Sequence, residues 1–261
     1  MSDLARDAVA GGAELVVAVG GDGTLSETVD GILRAGRPVD LATLPIGTGM
    51  DFVRTYGIPR RFEDAVRVAA AGRVREIDAG RVTYRAWNGD TAVRHFANVS
   101  SVGMSGAVAQ RANTMSKALG GRATFFYSLV RVFFGWENSE VTVEVEGETR
   151  RGRMHDVVVA NGQWHGGGMW LAPEADPDDG LFDVLLIGDI TKPDFVRSAL
   201  RIYRGTHLTH PKVDLLRSPW VEVDATDPLP IELDGEQPGT TPARFEVLRR
   251  ALRLRVPAES A

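Results

Sequence analysis

At 261 residues, with 43% apolar and 25% charged residues, the chain is an ordinary globular sequence long enough for two lobes with real cores. A net charge of −5 argues against a general polyanion or nucleic-acid binder, and the absence of cysteine excludes disulfides, thiolate metal sites and Cys nucleophiles. No apolar run approaches the roughly 20 residues that span a bilayer, and "MSDLARDAVAGGAE" lacks the basic start and apolar core of a signal peptide, which suits a reducing cytoplasm.

The N-terminus predicts an amphipathic helix closed by Gly11-Gly12. It is followed by a strand over Leu15–Val19, continuously apolar as a strand buried on both faces should be. A helix is expected from Thr24, with Leu25, Val29, Ile32 and Leu33 as its apolar face, then a strand at Asp40–Leu44 and helices around Phe52 and over Glu63–Ala71. Strands alternating with helices imply a parallel sheet covered by helices. From Val74 the period changes to two, in "REIDAGRVTYR", "VRHFANVSSV", "EVTVEVEGETRRGRMHDVVVAN", "GLFDVLLIGD" and "ARFEVLRRALRLRV", which predicts antiparallel strands and hairpins. Helical stretches interrupt them from Ser105 to about Gly135 and from Pro193 to about Arg204. The expected class is therefore α/β with two lobes, an α/β lobe over 1–76 and a β-rich lobe over 77–261.

Two glycine turns stand out. "GGDGT" follows the first strand, and although Asp-Gly is a hairpin signal, the residues after Thr24 keep helical period. In a strand–turn–helix, Gly20, Gly21 and Gly23 let the backbone approach an anion, with the helix N-terminus adding a favourable field. Thr24 and Ser26 are candidate helix caps. The turn lacks the Lys of G-x-x-x-x-G-K-[ST]. Asp22 beside phosphates needs a mediating cation, which points to Mg²⁺; the plainer reading is a turn cap. The second turn, "PIGTGMDF" from Pro45, follows the next strand, so the two turns should form facing walls of one nucleotide site. In "DPDDGLF", Asp176 and Asp179 sit close on a tight turn, either around a hard cation or as a solvated acidic turn. Glu236 in "LDGEQPG" says little by itself, since Asp234-Gly235 looks like a hairpin turn. Gly166–Gly168 should let a strand pass close to the junction of the lobes. His165 is assigned no role, and His207 with His210 lacks a third metal ligand.

"VVAVGGDGTLSETVDGI" followed by "LPIGTGMDFVR", "NVSSVGMSGAV", "VVVANGQWHGGGMWLAPEADPDDGLFDVLLI" and "IELDGEQPG" resembles, in order and over nearly the whole chain, the diacylglycerol kinase and bacterial lipid kinase family, which includes sphingosine and ceramide kinases. The resemblance implies ATP-dependent phosphorylation of a lipid hydroxyl, with a nucleotide-binding first lobe and a β-sandwich second lobe bearing the lipid site. Gly20, Gly21, Asp22, Gly23, Thr24, Leu25 and Ser26 would line the ATP phosphates, and Thr48 would contact the nucleotide from the facing turn. Asp176, Asp179 and the backbone of Leu181 would hold a structural Mg²⁺. Asp22 and Glu236 would be the catalytic pair, Glu236 as the base taking the proton of the acceptor hydroxyl.

Two features depart from the family pattern. Met50 stands where Asn is usual, and the family's opening strand, Asn-Pro glycine loop, helix and strand have no counterpart before Met1. The first lobe is therefore expected to leave a sheet edge open to association, a homodimer included. A lipid acceptor implies transient peripheral membrane contact, for which "RATFFYSLVRVFFGW" and "FVRSALRIYRG" are the candidates, although apolar stripes at helical spacing more often serve as core. The competing readings are an NAD or sugar-phosphate kinase, which shares the Gly-Gly-Asp-Gly turn, and a non-catalytic lipid-binding remnant.

Overall fold

The computed structural model describes residues 1–47, 49–114 and 121–258. The first lobe begins with α1 (Ser2–Ala10), β1 (Leu15–Gly20), α2 (Asp22–Ala35), β2 (Asp40–Pro45), α3 (Asp51–Thr55) and α4 (Phe62–Ala71). β1 and β2 are parallel, in register from Leu15 opposite Asp40 to Gly20 opposite Pro45, so both strands end at the same level. α2 buries Leu25, Val29 and Ile32 against Leu41 and Phe52, and stops at Gly36, which takes the left-handed conformation that lets a chain leave a helix. α1 crosses α2 where Gly31 leaves room: a Cβ there would lie 2.1 Å from the Ser2 carbonyl oxygen.

The remainder is strand-rich. β3 (Arg73–Ala86), β4 (Thr91–Phe96) and β5 (Val99–Gly103) lead to α5 (Met104–Thr114) and α6 (Gly121–Gly135). The meander continues through β6 (Ser139–Val145), β7 (Glu148–Met154) and β8 (Asp156–Ala160) to the two-residue strands β9 (Trp164–His165) and β10 (Met169–Trp170). After β11 (Phe182–Ile187) come α7 (Lys192–Tyr203), β12 (Val213–Ser218), β13 (Trp220–Ala225), β14 (Pro230–Leu233) and β15 (Glu236–Val256). The hydrogen-bonded order is β12-β11-β8-β5-β14-β15-β13-β6-β7, with antiparallel neighbours throughout. Its core is built around Phe96, whose ring stacks on Phe182 at 5.7 Å and meets Phe245 edge-on at 6.2 Å. The expected α/β class with a sandwich-type second lobe is the observed one.

The long strand β15 belongs to both halves. Its first part pairs with β14 and β13, while Arg253 and Leu254 run parallel to Asp40 and Leu41 of β2. Leu252, Leu254 and Val256 lie in the same apolar cluster as Val29, Leu41 and Phe52, although their position in the sequence is at the far end of the β-rich half. A break in register after Leu248, with Arg250 at φ 50°, turns the strand from one lobe to the other. β1 has no partner on its outer edge among the described residues, and Val17 and Val19 are exposed. The unpaired edge is the one expected of the first lobe, whereas the exposure of Val17 and Val19, which share one face of the strand, overturns the expectation that β1 is buried on both faces.

Candidate active site

The two glycine turns meet face to face. The Ile46 amide donates to the Gly20 carbonyl at 2.9 Å, and a Cβ on Gly47 would lie 2.8 Å from the Gly21 Cα. A side chain on Gly47 would push the turns apart, which is a physical reason for glycine there, whereas a Cβ on Gly21 would meet Gly47 only in ordinary contact at 3.7 Å. Helix α2 starts at Asp22, earlier than the Thr24 start expected, with Gly21 as its N-cap and no side-chain cap. Thr24 and Ser26 therefore do not cap it. Thr24 packs on Gly20, and Ser26 is buried with no hydrogen-bond partner for its hydroxyl among the described residues. Leu25 gives its side chain to the core and its amide to the Gly21 carbonyl. Thr48 lies outside the described residues.

Asp22 has an assignment the sequence did not disclose. Its Oδ1 accepts the amides of Asp51 and Phe52, at 3.0 and 3.3 Å, so it fixes the start of α3 and with it the second turn. Met50, just before that helix, is buried and takes φ 58°, a left-handed conformation that Asn adopts more readily than Met. Asp51 then reaches into the second lobe, where its Oδ2 accepts the Gly167 amide at 2.6 Å. Gly166, Gly167 and Gly168 all have positive φ, forming the tip of the β9–β10 hairpin. They make a turn that docks on α3, where the sequence had suggested a passing strand. Arg54 lies over the Trp164 ring, which stacks on Trp170 at 5.2 Å, and completes this joint.

His165 is the residue that sequence reasoning passed over. Its Nε2 lies 3.4 Å from the Glu232 carboxylate, and Asp51, Asp234 and Asp22 add their charges around it. Burial alone would lower its pKa, but Glu232 first, then those three aspartates, hold it above the ordinary imidazole value. Burial pushes Asp51 up, with Asp22 adding to the effect and the Gly167 amide opposing it. Asp234 accepts the amides of Ala97, Asn98 and Val99 at 3.0, 3.2 and 2.9 Å, yet burial still pushes it up to about 6. A His held toward its protonated form thus sits among carboxylates drawn from α2, α3 and the β14 end, with the Arg54 guanidinium 3.6 Å from Asp51. The only local hint was a His directly before three glycines.

The sign of the pH dependence follows. A His held above its unfolded pKa stabilises fully below about 6.5, and that contribution is lost as pH rises through the folded value. Asp234 acts in the same sense but at lower pH, since a carboxyl raised from 3.8 to about 6 loses its contribution between those values. The melting temperature should therefore fall as the pH rises above about 6.5, and His165→Gln should flatten that fall. A variant with the same slope as the parent would show that His165 carries no such charge.

Glu236 lies apart from this cluster. Its Oε2 accepts from Arg94 Nη1 at 2.7 Å, and it borders a cavity of about 360 Å³ with Met1, Ser2, Glu27 and Asp30. Asp22 and Glu236 make no direct contact. Both stand beside α2, Asp22 at its N-terminus and Glu236 near residues 27 and 30, about 8–12 Å further along the axis at 1.5 Å per residue. A larger hollow of about 510 Å³, bordered by Arg85, Glu144, Arg151 and the Arg244–Glu222 pair, holds none of the motif residues. In the acidic turn, Asp176 and Asp178 face Arg75, and Asp179 pairs with Arg217 while its Oδ1 accepts the Leu181 amide. Buried Asp78 anchors that turn through the Gly180 amide at 2.7 Å. No group of three or more His, Asp or Glu side chains poised around a metal is present among the described residues.

Both parts of the chain are similar to known protein families. Residues 1–82 match the diacylglycerol kinase catalytic domain, and residues 98–256 match the YegS C-terminal NAD kinase beta sandwich-like domain. A probable lipid kinase YegS-like protein of Pseudomonas aeruginosa is 34% identical, across 98% of this chain and 81% of its own length. The chain belongs to the YegS-like and diacylglycerol kinase family. A diacylglycerol kinase of Bacillus subtilis is 29% identical over 95% of this chain and 79% of its own. In fold, the crystal structure of a putative diacylglycerol kinase from Bacillus anthracis superposes with a TM-score of 0.78, at 23% identity, covering 99% of this chain and 83% of that one. Membership of this lipid kinase family makes phosphotransfer from a nucleotide the activity class. No helix among the described residues is long and apolar enough to cross a membrane.

Proposed function

We propose that the chain transfers the γ-phosphoryl group of ATP to the hydroxyl of diacylglycerol or a related lipid alcohol, with Mg²⁺, at the inner face of the cytoplasmic membrane. The observation that carries this reading is the pair of abutting glycine turns at the ends of two parallel strands, with Asp22 and Asp51 between them and the second lobe docked against α3. Phosphoryl transfer asks mainly for positioning and charge neutralisation. In this reading the backbone of Gly20–Thr24 and the start of α2 supply the anion cradle.

The donor set suits Mg²⁺, which usually takes one or two carboxylates and leaves its other positions to phosphate and water. Asp51 Oδ1 is buried without a hydrogen-bond partner among the described residues, with Arg54 Nε 3.6 Å away, and Asp22 Oδ2, which accepts the Asp51 amide at 3.3 Å, lies beside Gly49, 2.7 Å from where a Cβ would stand. These two side chains would hold the ion, which when bound neutralises charge on the transferring phosphates. The second cation sits, in this reading, at Asp176, Asp179 and the Leu181 backbone. Asp183 nearby has both carboxylate oxygens buried without hydrogen-bond partners among the described residues, although Arg217 Nε stands 3.7 Å from its Oδ2, and burial pushes it up to about 6, with the neighbouring acids Asp179, Glu174 and Asp176 adding to the effect. Glu236 serves as base: Arg94 occupies Oε2 and orients the carboxylate, so that Oε1 can accept the proton of the acceptor hydroxyl.

The test is direct. Purified protein is incubated with labelled ATP, Mg²⁺ and separate acceptors, namely diacylglycerol in mixed micelles, NAD and sugar phosphates. Label should appear in the lipid, and Glu236→Gln should lower that rate by about 10²-fold or more. Label in NAD would replace the reading with the nucleotide-kinase one. Lipid binding without transfer would leave a non-catalytic module.

A further inference from the structure

β14 and β15 meet in a two-residue hairpin, and Glu236 is the first residue after it. Both turn residues take positive φ, Asp234 at 46° and Gly235 at 95°. The ladder behind the turn does not by itself fix where Glu236 stands. Leu233 faces Glu236 while Ile231 faces Gly239, so the register slips, and Gln237 and Pro238 stand opposite the single residue Glu232. Pro238 has no amide to give to that ladder. Glu232 occupies the slip. Ile231 and Leu233 enter the sandwich core, so alternation sends Glu232 to the other face of β14, where it is only 2% exposed. Its carboxylate is engaged there on both oxygens. Oε1 accepts the Gly235 amide, and Oε2 accepts the Ser101 hydroxyl at 3.0 Å with His165 Nε2 3.4 Å away. A buried carboxylate is costly unless charge and hydrogen bonds compensate it, and an apolar side chain would fill the same space without that cost. What the carboxylate adds is a grip on the residue immediately before Glu236.

We propose that Glu232 is a positioning residue for the base Glu236: its buried carboxylate clamps the Gly235 amide and so sets the turn, while Arg94 holds the Glu236 carboxylate itself. The partners of Glu232 come from separate elements. Ser101 stands directly opposite it on β5, and His165 comes from the β9–β10 hairpin, whose tip docks on Asp51 of α3 through the Gly167 amide. The turn that carries the base is thereby linked, through Glu232 and His165, to the hairpin on which the first lobe rests. Asp234 fixes the other half of the turn by accepting the amides of Ala97, Asn98 and Val99, so both turn residues are held by carboxylate–amide bonds. The proposal rests on the lipid-kinase reading, because Glu232 acts through the base that this reading assigns. A general base must stand within about 2.6–3.2 Å of the group whose proton it takes. A displacement of about 1 Å can cost about 10²-fold in rate.

Two conservative variants separate reach from charge. Glu232→Asp keeps the charge but is one methylene shorter, so it should free the turn and lower kcat about tenfold or more, with KM for ATP within about twofold of the parent. Glu232→Gln loses the charge but keeps an acceptor oxygen at the same reach, so it should recover kcat to within about threefold of the parent. Turnover is read as label passed from ATP to diacylglycerol in mixed micelles, beside a melting curve for each variant. In a Glu236→Gln background the Asp substitution should cost nothing further, because a residue that acts only through the base has nothing left to position. The same loss in both backgrounds would overturn the proposal. So would a Gln variant as slow as the Asp variant, or an Asp variant at the parental rate. A parent that passes no label to lipid fails the kinase reading separately. Hydrogen exchange at the Gly235 amide still tests the clamp in that case, and should be about tenfold faster or more in Glu232→Asp than in Glu232→Gln. Equal exchange in the two variants would overturn it.

Discussion

Asp22→Asn should reduce phosphoryl transfer by about 10²–10³-fold, the scale of losing one well-placed charge-stabilising group, while moving the stability of the fold by about 1 kcal/mol or less. The two effects separate because the side chain has two tasks. Its Oδ1 accepts the Asp51 and Phe52 amides, a task the amide oxygen of Asn keeps. The negative charge beside Asp51, which the proposed cation needs, is removed. Asp22→Ala should lose both, adding the loss of the α3 cap to the loss of turnover. Steady-state kinetics across a Mg²⁺ titration, with a melting curve on each variant, checks this. An Asn variant with parental turnover and Mg²⁺ dependence would reduce Asp22 to a structural cap.

The largest effect on stability should come from Asp234→Ala. That carboxylate takes the amides of Ala97, Asn98 and Val99 in a buried setting. Removing it leaves three donors without an acceptor, each costing about 1–3 kcal/mol, so about 3 kcal/mol or more in total. Asn keeps one acceptor oxygen but turns an NH₂ toward donors, so it should fall between Ala and the parent. The damage should also reach the candidate site, because Asn98 Nδ2 donates to the Trp164 carbonyl and so holds the strand that carries His165. Denaturant unfolding should show a lower midpoint at unchanged m-value. A shift below about 1 kcal/mol would mean that the segment finds other acceptors.

Much of this arrangement was legible in the sequence because it is local. A continuous apolar run before Gly20 is enough to place β1, and helical period after it is enough to distinguish a strand–turn–helix from a hairpin. Parallel neighbours with equal ends then bring the two glycine turns together. What could not be read depends on partners far apart in the chain. Asp234 looked like part of a hairpin turn, since its three amide donors lie 135 to 137 residues away. His165 has no signature by itself; its character comes from Glu232, Asp51, Asp234 and Asp22, which only the tertiary fold assembles. α7, on which Val196, Leu200 and Tyr203 are exposed, shows the converse limit. Periodicity reports that a stripe is apolar, and says nothing about whether another element covers it.

The path of β15 also bears on how the molecule comes apart. Since Arg253 and Leu254 flank Asp40 and Leu41 while Trp220 lies opposite Glu246 on the same strand, neither half owns a complete sheet. A cut between the halves would deprive the nucleotide side of Leu252, Leu254 and Val256 and open the interior around Leu41 to water. The two halves should consequently melt together, and the first core closes only once Leu252, Leu254 and Val256 have been synthesised, long after the rest of that lobe.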